Sequence, residues 1–274
     1  MLGAIIGDII GSRFEMINYS ANKSFADYQD FPLFTDKSKY TDDTVLTCAI
    51  ANAIIFKKPF DEVLKLYGRK FPLAGYGSAF IQWLDSPLME PYNSYGNGSA
   101  MRVSPVGWLY DTREDVLRVA AETANPTHNH PEGVKGAQAI ALAILLSRKG
   151  EPKAQIKFEI ENSFGYNLNR TLDEIRQNYE FSATCQLTVP EAITAFLESE
   201  NFEDAIRKAI SIGGDSDTIA CMAGAIAEAF YGTDSIPPEI KKQTIEILSK
   251  EEYLFDDFIL FESYNSKREQ LQNT

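Results

Sequence analysis

The chain has only three cysteines, Cys48, Cys185 and Cys221, among 274 residues. An odd, scattered set of thiols makes neither a disulfide framework nor a zinc knuckle, so these are expected as small core residues. Histidine is scarcer still. His128 and His130 are the only two, with no cysteine or third histidine at ligand spacing, which argues against zinc and for loop or helix-cap roles. Basic charge is in deficit as well: 26 Lys and Arg against 39 Asp and Glu give a formal net charge of −13, with no basic patch, so nucleic acid is a poor partner. No apolar run is long enough to span a membrane, and the apolar first residues, 1–11, lack a basic flank and contain Asp8. The expected protein is cytoplasmic and acts on neither nucleic acid nor membrane. Solenoid repeats and low-complexity linkers are missing too. With 44% hydrophobic residues, enough for a sizeable core, residues 1–274 are expected to form one domain.

What the chain does have is acid in two dense clusters. In SIGGDSDTIACMAGA, residues 211–225, Gly213 and Gly214 permit a tight turn, Asp215, Asp217 and Thr218 supply hard oxygens, and a run of small apolar residues follows. The second cluster, Tyr40-Thr41-Asp42-Asp43-Thr44, leads into the apolar run 45–55 with the same grammar. Either alone reads as an N-cap, since these side chains accept the free N–H groups of a first helical turn. Both together carry more carboxylate than caps require, and the four aspartates would repel one another without a cation. Their four charges balance two divalent ions, and all-oxygen ligation suits Mg²⁺ or Mn²⁺.

Gly3, Gly7 and Gly11 recur every four residues, on one face of a helix that another helix or a ligand can approach closely. Asp8 lies inside this apolar helix, where a lone carboxylate is costly, so it is expected to find a cation, a helix end or a metal-bound water. Glu15 follows seven residues later on nearly the same face. It precedes a polar loop, residues 18–39, of a length typical of lids and binding loops. A Gly/Asn/Ser segment, residues 92–102, could offer backbone N–H groups to phosphate, with Arg102 adding charge; it is neither a Walker A loop nor a GxGxxG fingerprint.

Apolar spacing and cap signals predict helices over residues 44–56, 60–71, 78–84, 111–124, 132–146 behind Pro131, 153–164, 170–178, 202–210 behind Asn201, 219–231 and 238–249. Residues 181–189 are the one β-like stretch, Pro190 is expected to open a helix over 191–197, and the polar tail from Lys267 is expected to fray. The predicted fold is all-α, a compact orthogonal multi-helix bundle around a central binuclear metal site.

The segments GAIIGDIIGSRFE, YTDDT, YGNGSAMRVSP, PTHNHPE and IGGDSDTIACMAGAIAEAFYG, in that order, resemble the ADP-ribosylglycohydrolase family from the first residues to about Gly232. The resemblance implies an all-α fold holding two Mg²⁺ or Mn²⁺ ions, with Thr41, Asp42, Asp43, Asp215, Asp217 and Thr218 as ligands. It matches Glu15 to a loop glutamate beside the metals, Asn97, Gly98, Ser99 and Met101 to a loop on the diphosphate and ribose, His128 to a substrate contact, and Asp8 to a residue near the site. The implied reaction hydrolyses the glycosidic bond between ADP-ribose and an acceptor, a protein side chain such as arginine or serine or a small ADP-ribose derivative. Glu15, Asp215 and Asp217 are the acid/base candidates. A non-catalytic ADP-ribose binder and a two-metal nucleotide phosphohydrolase are the rival readings.

Overall fold

The computed structural model describes residues 1–15 and 31–272, and among these the chain is all-α. In chain order the helices are α1 (Leu2–Gly11), α2 (Asp42–Phe56), α3 (Phe60–Lys70), α4 (Ser78–Asp85), α5 (Gly98–Met101), α6 (Ser104–Leu109), α7 (Arg113–Ala124) and α8 (Pro131–Arg148). There follow α9 (Lys153–Phe164), α10 (Leu172–Asn178), α11 (Cys185–Leu197), α12 (Phe202–Ile212), α13 (Ser216–Tyr231), α14 (Pro238–Leu248) and α15 (Glu252–Gln272). The loop expected over 18–39 falls largely outside the described residues, which resume at Phe31.

The centre is the pair α1 and α13, which run against each other over their whole length. A Cβ added at Gly3, Gly7 or Gly11 would fall onto backbone atoms of Gly224, Ala220 or Asp217, so the glycine stripe exists to let the two backbones touch. Ile5, Ile6, Ile9 and Ile10 fill the space on the other faces of α1 and are fully buried, each worth about 1.5–3 kcal/mol. Helix α13 is buried along most of its length, packed by α1, α8, α11 and α12, as expected of a helix apolar on every face. Helix α2 is apolar all round in the same way and lies between α1, α3 and α15. The buried apolar side chains form one continuous core to which all of these contribute.

Local signals account for most helix ends. Thr41 caps α2, Thr112 caps α7, Asn201 caps α12, and Thr171 with Glu174 forms a capping box on α10. His130 caps α8, its ring nitrogen accepting the Glu132 N–H at 3.1 Å, with Pro131 at the first helical position.

Residues 181–189 do not form a strand. Only their first part is extended, making one antiparallel bridge between Gly96 and Thr184, after which Cys185–Leu197 is helical with Pro190 inside it. Proline at the sixth helical position removes a single backbone hydrogen bond, and burial of Cys185, Thr188, Val189, Ala192, Ile193 and Phe196 outweighs that loss. The β-branched residues that read as a strand form the helix's buried face. From Lys267 to Gln272 the polar tail belongs to α15.

Candidate metal centre and substrate cavity

The two acid clusters, more than 170 residues apart in sequence, meet. The Thr218 hydroxyl donates to Oδ2 of Asp43 at 3.2 Å, and the Thr41 hydroxyl lies 3.3 Å from the same oxygen. Oxygens of Asp8, Asp43 and Asp217 converge within 4.8 Å of one another, as do those of Glu15, Asp215 and Asp217. Asp217 is shared by the two groups.

Helix ends place these side chains. Asp42 and Asp43 stand in the first turn of α2, where Asp42 N–H is tied to the Ala74 carbonyl at 2.9 Å. The turn of Gly213 and Gly214, both at positive φ, delivers Asp215 to the N-cap position of α13. Asp215 makes no cap bond. Its Oδ2 instead accepts the Asn97 amide at 2.7 Å, and the carboxylate gathers with those of Glu15 and Asp217. Asp8 reaches across from α1 and serves a helix end that is not its own. It accepts the Thr41 N–H at 2.9 Å, the Thr41 hydroxyl at 2.7 Å, the Thr44 N–H at 3.1 Å and the Thr44 hydroxyl at 2.5 Å.

So much buried acid perturbs its own titration. Burial, with Asp8 and Asp215 nearby, pushes Asp42 up to about 8. Burial and neighbouring carboxylates hold Asp43 and Asp217 well above the ordinary range. Glu15, half-buried, is raised by burial and then by Asp215, against an opposing pull from Lys39. Oδ1 of Asp43 is buried without a hydrogen-bond partner among the described residues. An orphaned carboxylate oxygen amid crowded acids is what a hard divalent cation would satisfy, and the donors, all oxygen, match its chemistry.

A cavity of about 890 Å³ opens on this centre. Its floor is Glu15, Thr41, Asp42, Asp43, Asp215, Asp217 and Thr218; Asn97, Gly98, Met101 and His128 form one wall. Ser99 is the candidate that does not face it. Fully buried, its hydroxyl donates to the Gly133 carbonyl at 2.7 Å, which ties α5 to α8. Arg102 does line the cavity, but one nitrogen of its guanidinium, Nη2, is engaged by the Thr123 carbonyl and the Thr127 hydroxyl. His128 is buried and neutral: burial and then the Arg102 charge hold its pKa well below the ordinary value. Residues the motifs did not point to also line the cavity, notably Phe181 and, from one stretch, Ala74, Gly75, Gly77, Ser78, Ala79 and Phe80. The one signal for that stretch was the pair Gly75 and Gly77, with Gly75 at φ 109°.

The family model described as ADP-ribosylglycohydrolase matches residues 1–268. ADP-ribosylhydrolase ARH3 of Gallus gallus is 28% identical over 314 residues, covering 87% of this chain and 86% of that protein. ADP-ribosylhydrolase ARH3 of Homo sapiens is 28% identical over 310 residues, covering 86% and 85%. ADP-ribosylarginine hydrolase Tri1 of Pseudomonas putida is 26% identical over 293 residues, covering 93% and 76%. Among solved structures, a chain of an ADP-ribosylglycohydrolase-related protein complex superposes with a TM-score of 0.65 at 21% identity, covering 95% of each chain, a likeness of fold.

Proposed function

This chain belongs to the ADP-ribosylglycohydrolase family of glycosidic-bond hydrolases, and on that premise we propose that it releases ADP-ribose from an ADP-ribosylated protein side chain or a small ADP-ribose conjugate, using two divalent cations of the Mg²⁺ type. The observation that carries this reading is the meeting of the two acid clusters through Thr218 and Asp43 at the floor of the cavity, with Oδ1 of Asp43 unpartnered among the described residues. Thr41, Asp42, Asp43, Asp215, Asp217 and Thr218 would hold the ions. When bound, such cations supply Lewis acidity and fix the orientation of sugar hydroxyls.

The chain's own residues then divide the work. Water adds at the anomeric carbon of the ribose, the bond to the acceptor breaks, and the departing group takes a proton. Glu15 is a candidate for that proton transfer, because burial and Asp215 raise its pKa towards the working range of a general acid. Asp215 and Asp217 are the other candidates, and Asn97 fixes the first of them through its amide. Asn97, Gly98, Met101 and His128 would line the ADP-ribose. Arginine- and serine-linked ADP-ribose are the first acceptors to try; the Pseudomonas relative is named for the former.

Calorimetric titration of ADP-ribose with Mg²⁺ and again with EDTA, followed by mass spectrometry of ADP-ribosyl-arginine and ADP-ribosyl-serine peptides, tests the proposal. Metal-dependent binding with loss of one ADP-ribose from either peptide is the expected result. Release of AMP or phosphate would replace it with a phosphohydrolase, and binding without turnover of either peptide with a non-catalytic binder.

A further inference from the structure

Arg102 is fully buried, yet among the described residues no carboxylate stands within ion-pair distance of it. A guanidinium taken out of water without a counter-charge is costly, and its Nε and Nη1 have no hydrogen-bond partner among the described residues either. Its one engaged nitrogen, Nη2, donates to the Thr123 carbonyl at 2.9 Å and to the Thr127 hydroxyl at 2.8 Å. The Thr127 hydroxyl in turn lies 2.7 Å from Nδ1 of His128. The far side of the same ring faces the cavity beside α5: a Cβ added at Gly98 would sit 3.0 Å from Nε2.

This chain has a direction. Guanidinium nitrogens only donate, so Thr127 must accept from Arg102 and has one proton left to give. Thr127 is fully buried, and the Tyr92 hydroxyl that approaches it carries its own proton, with a pKa pushed up to about 12 mainly by burial. The Thr127 proton has two acceptors in reach, Nδ1 and the Tyr92 oxygen; an imidazole nitrogen is the stronger acceptor and a phenol the stronger donor, so Tyr92 gives to Thr127 and Thr127 to Nδ1, the unprotonated nitrogen of the imidazole. In the reverse arrangement Nδ1–H would donate to Thr127 and Thr127 to the Tyr92 oxygen, which sets the weaker donors against the weaker acceptors. Burial and the Arg102 charge also keep the ring neutral.

We propose that Arg102 is a positioning residue that works through Thr127 to fix His128 in the Nε2–H tautomer, so that His128 offers one aimed hydrogen-bond donor to an acceptor oxygen of the bound ADP-ribose. The identity of the ligand rests on the proposed function; the tautomer does not. The arrangement gives the buried guanidinium a purpose that a packing role would not, since an apolar side chain would fill the same volume at lower cost.

The test uses the full chain labelled with ¹⁵N-histidine and loaded with Mg²⁺. Two histidines make the spectrum simple, and His130→Gln assigns it. Long-range ¹⁵N–¹H correlations are expected to show His128 with a bare Nδ1 and a protonated Nε2, unchanged between about pH 6 and 8. Thr127→Val, which keeps the shape and removes the hydroxyl, is expected to give averaged tautomer shifts and to raise the Kd for ADP-ribose about tenfold with Mg²⁺ affinity retained, the loss of one aimed hydrogen bond. Thr127→Ser restores both readouts. Arg102→Lys, the variant most exposed to misfolding, is needed only as a confirmation that the tautomer loosens. A protonated Nδ1 or an imidazolium in the wild type overturns the proposal, and so does a Thr127→Val protein whose ring and Kd match the wild type. Failure of the wild type to bind ADP-ribose removes the ligand half together with the proposed function, while the ring spectrum still decides the tautomer.

Discussion

Asp8 and Thr41 hold each other at two points: Oδ2 of Asp8 accepts the Thr41 N–H at 2.9 Å, and Oδ1 accepts the Thr41 hydroxyl at 2.7 Å. With the two further bonds from Thr44, one carboxylate of α1 closes the first turn of α2, the turn that carries Asp42 and Asp43. Asp8→Ala leaves four donors without their acceptor in a buried place, and each unsatisfied donor costs about 1–3 kcal/mol. We expect a loss on the order of 3 kcal/mol after partial relaxation, less for Asp8→Asn, which keeps one acceptor oxygen. Urea unfolding measures it, and Mg²⁺ titration of Asp8→Asn should show affinity down at least tenfold. Wild-type affinity in that variant would mean that the α2 end is held by other means.

Asp215→Ala with Asp217→Ala removes two of the crowded carboxylates. Because both are raised by burial, and Asp217 further by its acidic neighbours, their loss relieves the metal-free protein. The double variant should therefore lose Mg²⁺ binding and hydrolysis together while its metal-free melting temperature stays level or rises. Hydrolysis at the wild-type rate would remove both residues from the site. A collapse of the metal-free fold would contradict the repulsion inferred here.

The same crowding sets a pH dependence. Asp42 is pushed up to about 8, and Asp43 and Asp217 are held well above the ordinary range, so the folded metal-free protein binds more protons than the unfolded chain. The stability these protons bring is full below the unfolded value of about 4 and is lost as pH rises through about 8. Bound cations replace the protons. The difference in melting temperature between Mg²⁺-loaded and EDTA-treated protein should then widen from about pH 6 to 9, and a constant or shrinking difference would count against a cation at this centre.

The parts of the site that could be read in the sequence were those whose signal is local. Thr41 to Thr44 and Gly213 to Thr218 each announced a helix start overloaded with acid, and the excess over capping needs pointed to their meeting. The four-residue spacing of Gly3, Gly7 and Gly11 announced a close neighbour but not its identity, because any small-faced helix would satisfy it; α13 is that helix. Ser99 and Arg102 mark the limit of a local reading. A polar side chain in a glycine-rich loop reads as available, and only the packing of α5 against α7 and α8 shows that the Ser99 hydroxyl is spent on the Gly133 carbonyl and that Nη2 of Arg102 is engaged by Thr123 and Thr127. The first part of the helix Cys185–Leu197, before the stretch 191–197 that Pro190 did announce, was hidden by β-branched residues whose strand propensity yields to burial against α8, α12 and α13.

Gly11 joins the fold to the site and gives the sharpest single test of their coupling. A Cβ at this position would lie 2.5 Å from Cα of Asp217 and 2.8 Å from its nitrogen, closer than any real contact, and both atoms are backbone. Gly11→Ala must push α1 and the start of α13 apart. Overpacking of this kind costs about 1–3 kcal/mol, and here the displaced residue is the carboxylate shared by the two acid groups. Gly3→Ala, at the other end of the same interface, strains the backbone of Gly224, seven residues from Asp217. Both variants should lose stability to urea by similar amounts, but Gly11→Ala alone should weaken Mg²⁺ binding, by tenfold or more, because only it moves a metal-facing residue. Equal metal affinities in the two variants would mean that the end of α13 is free to shift without disturbing the acids, and that the glycine stripe serves packing alone.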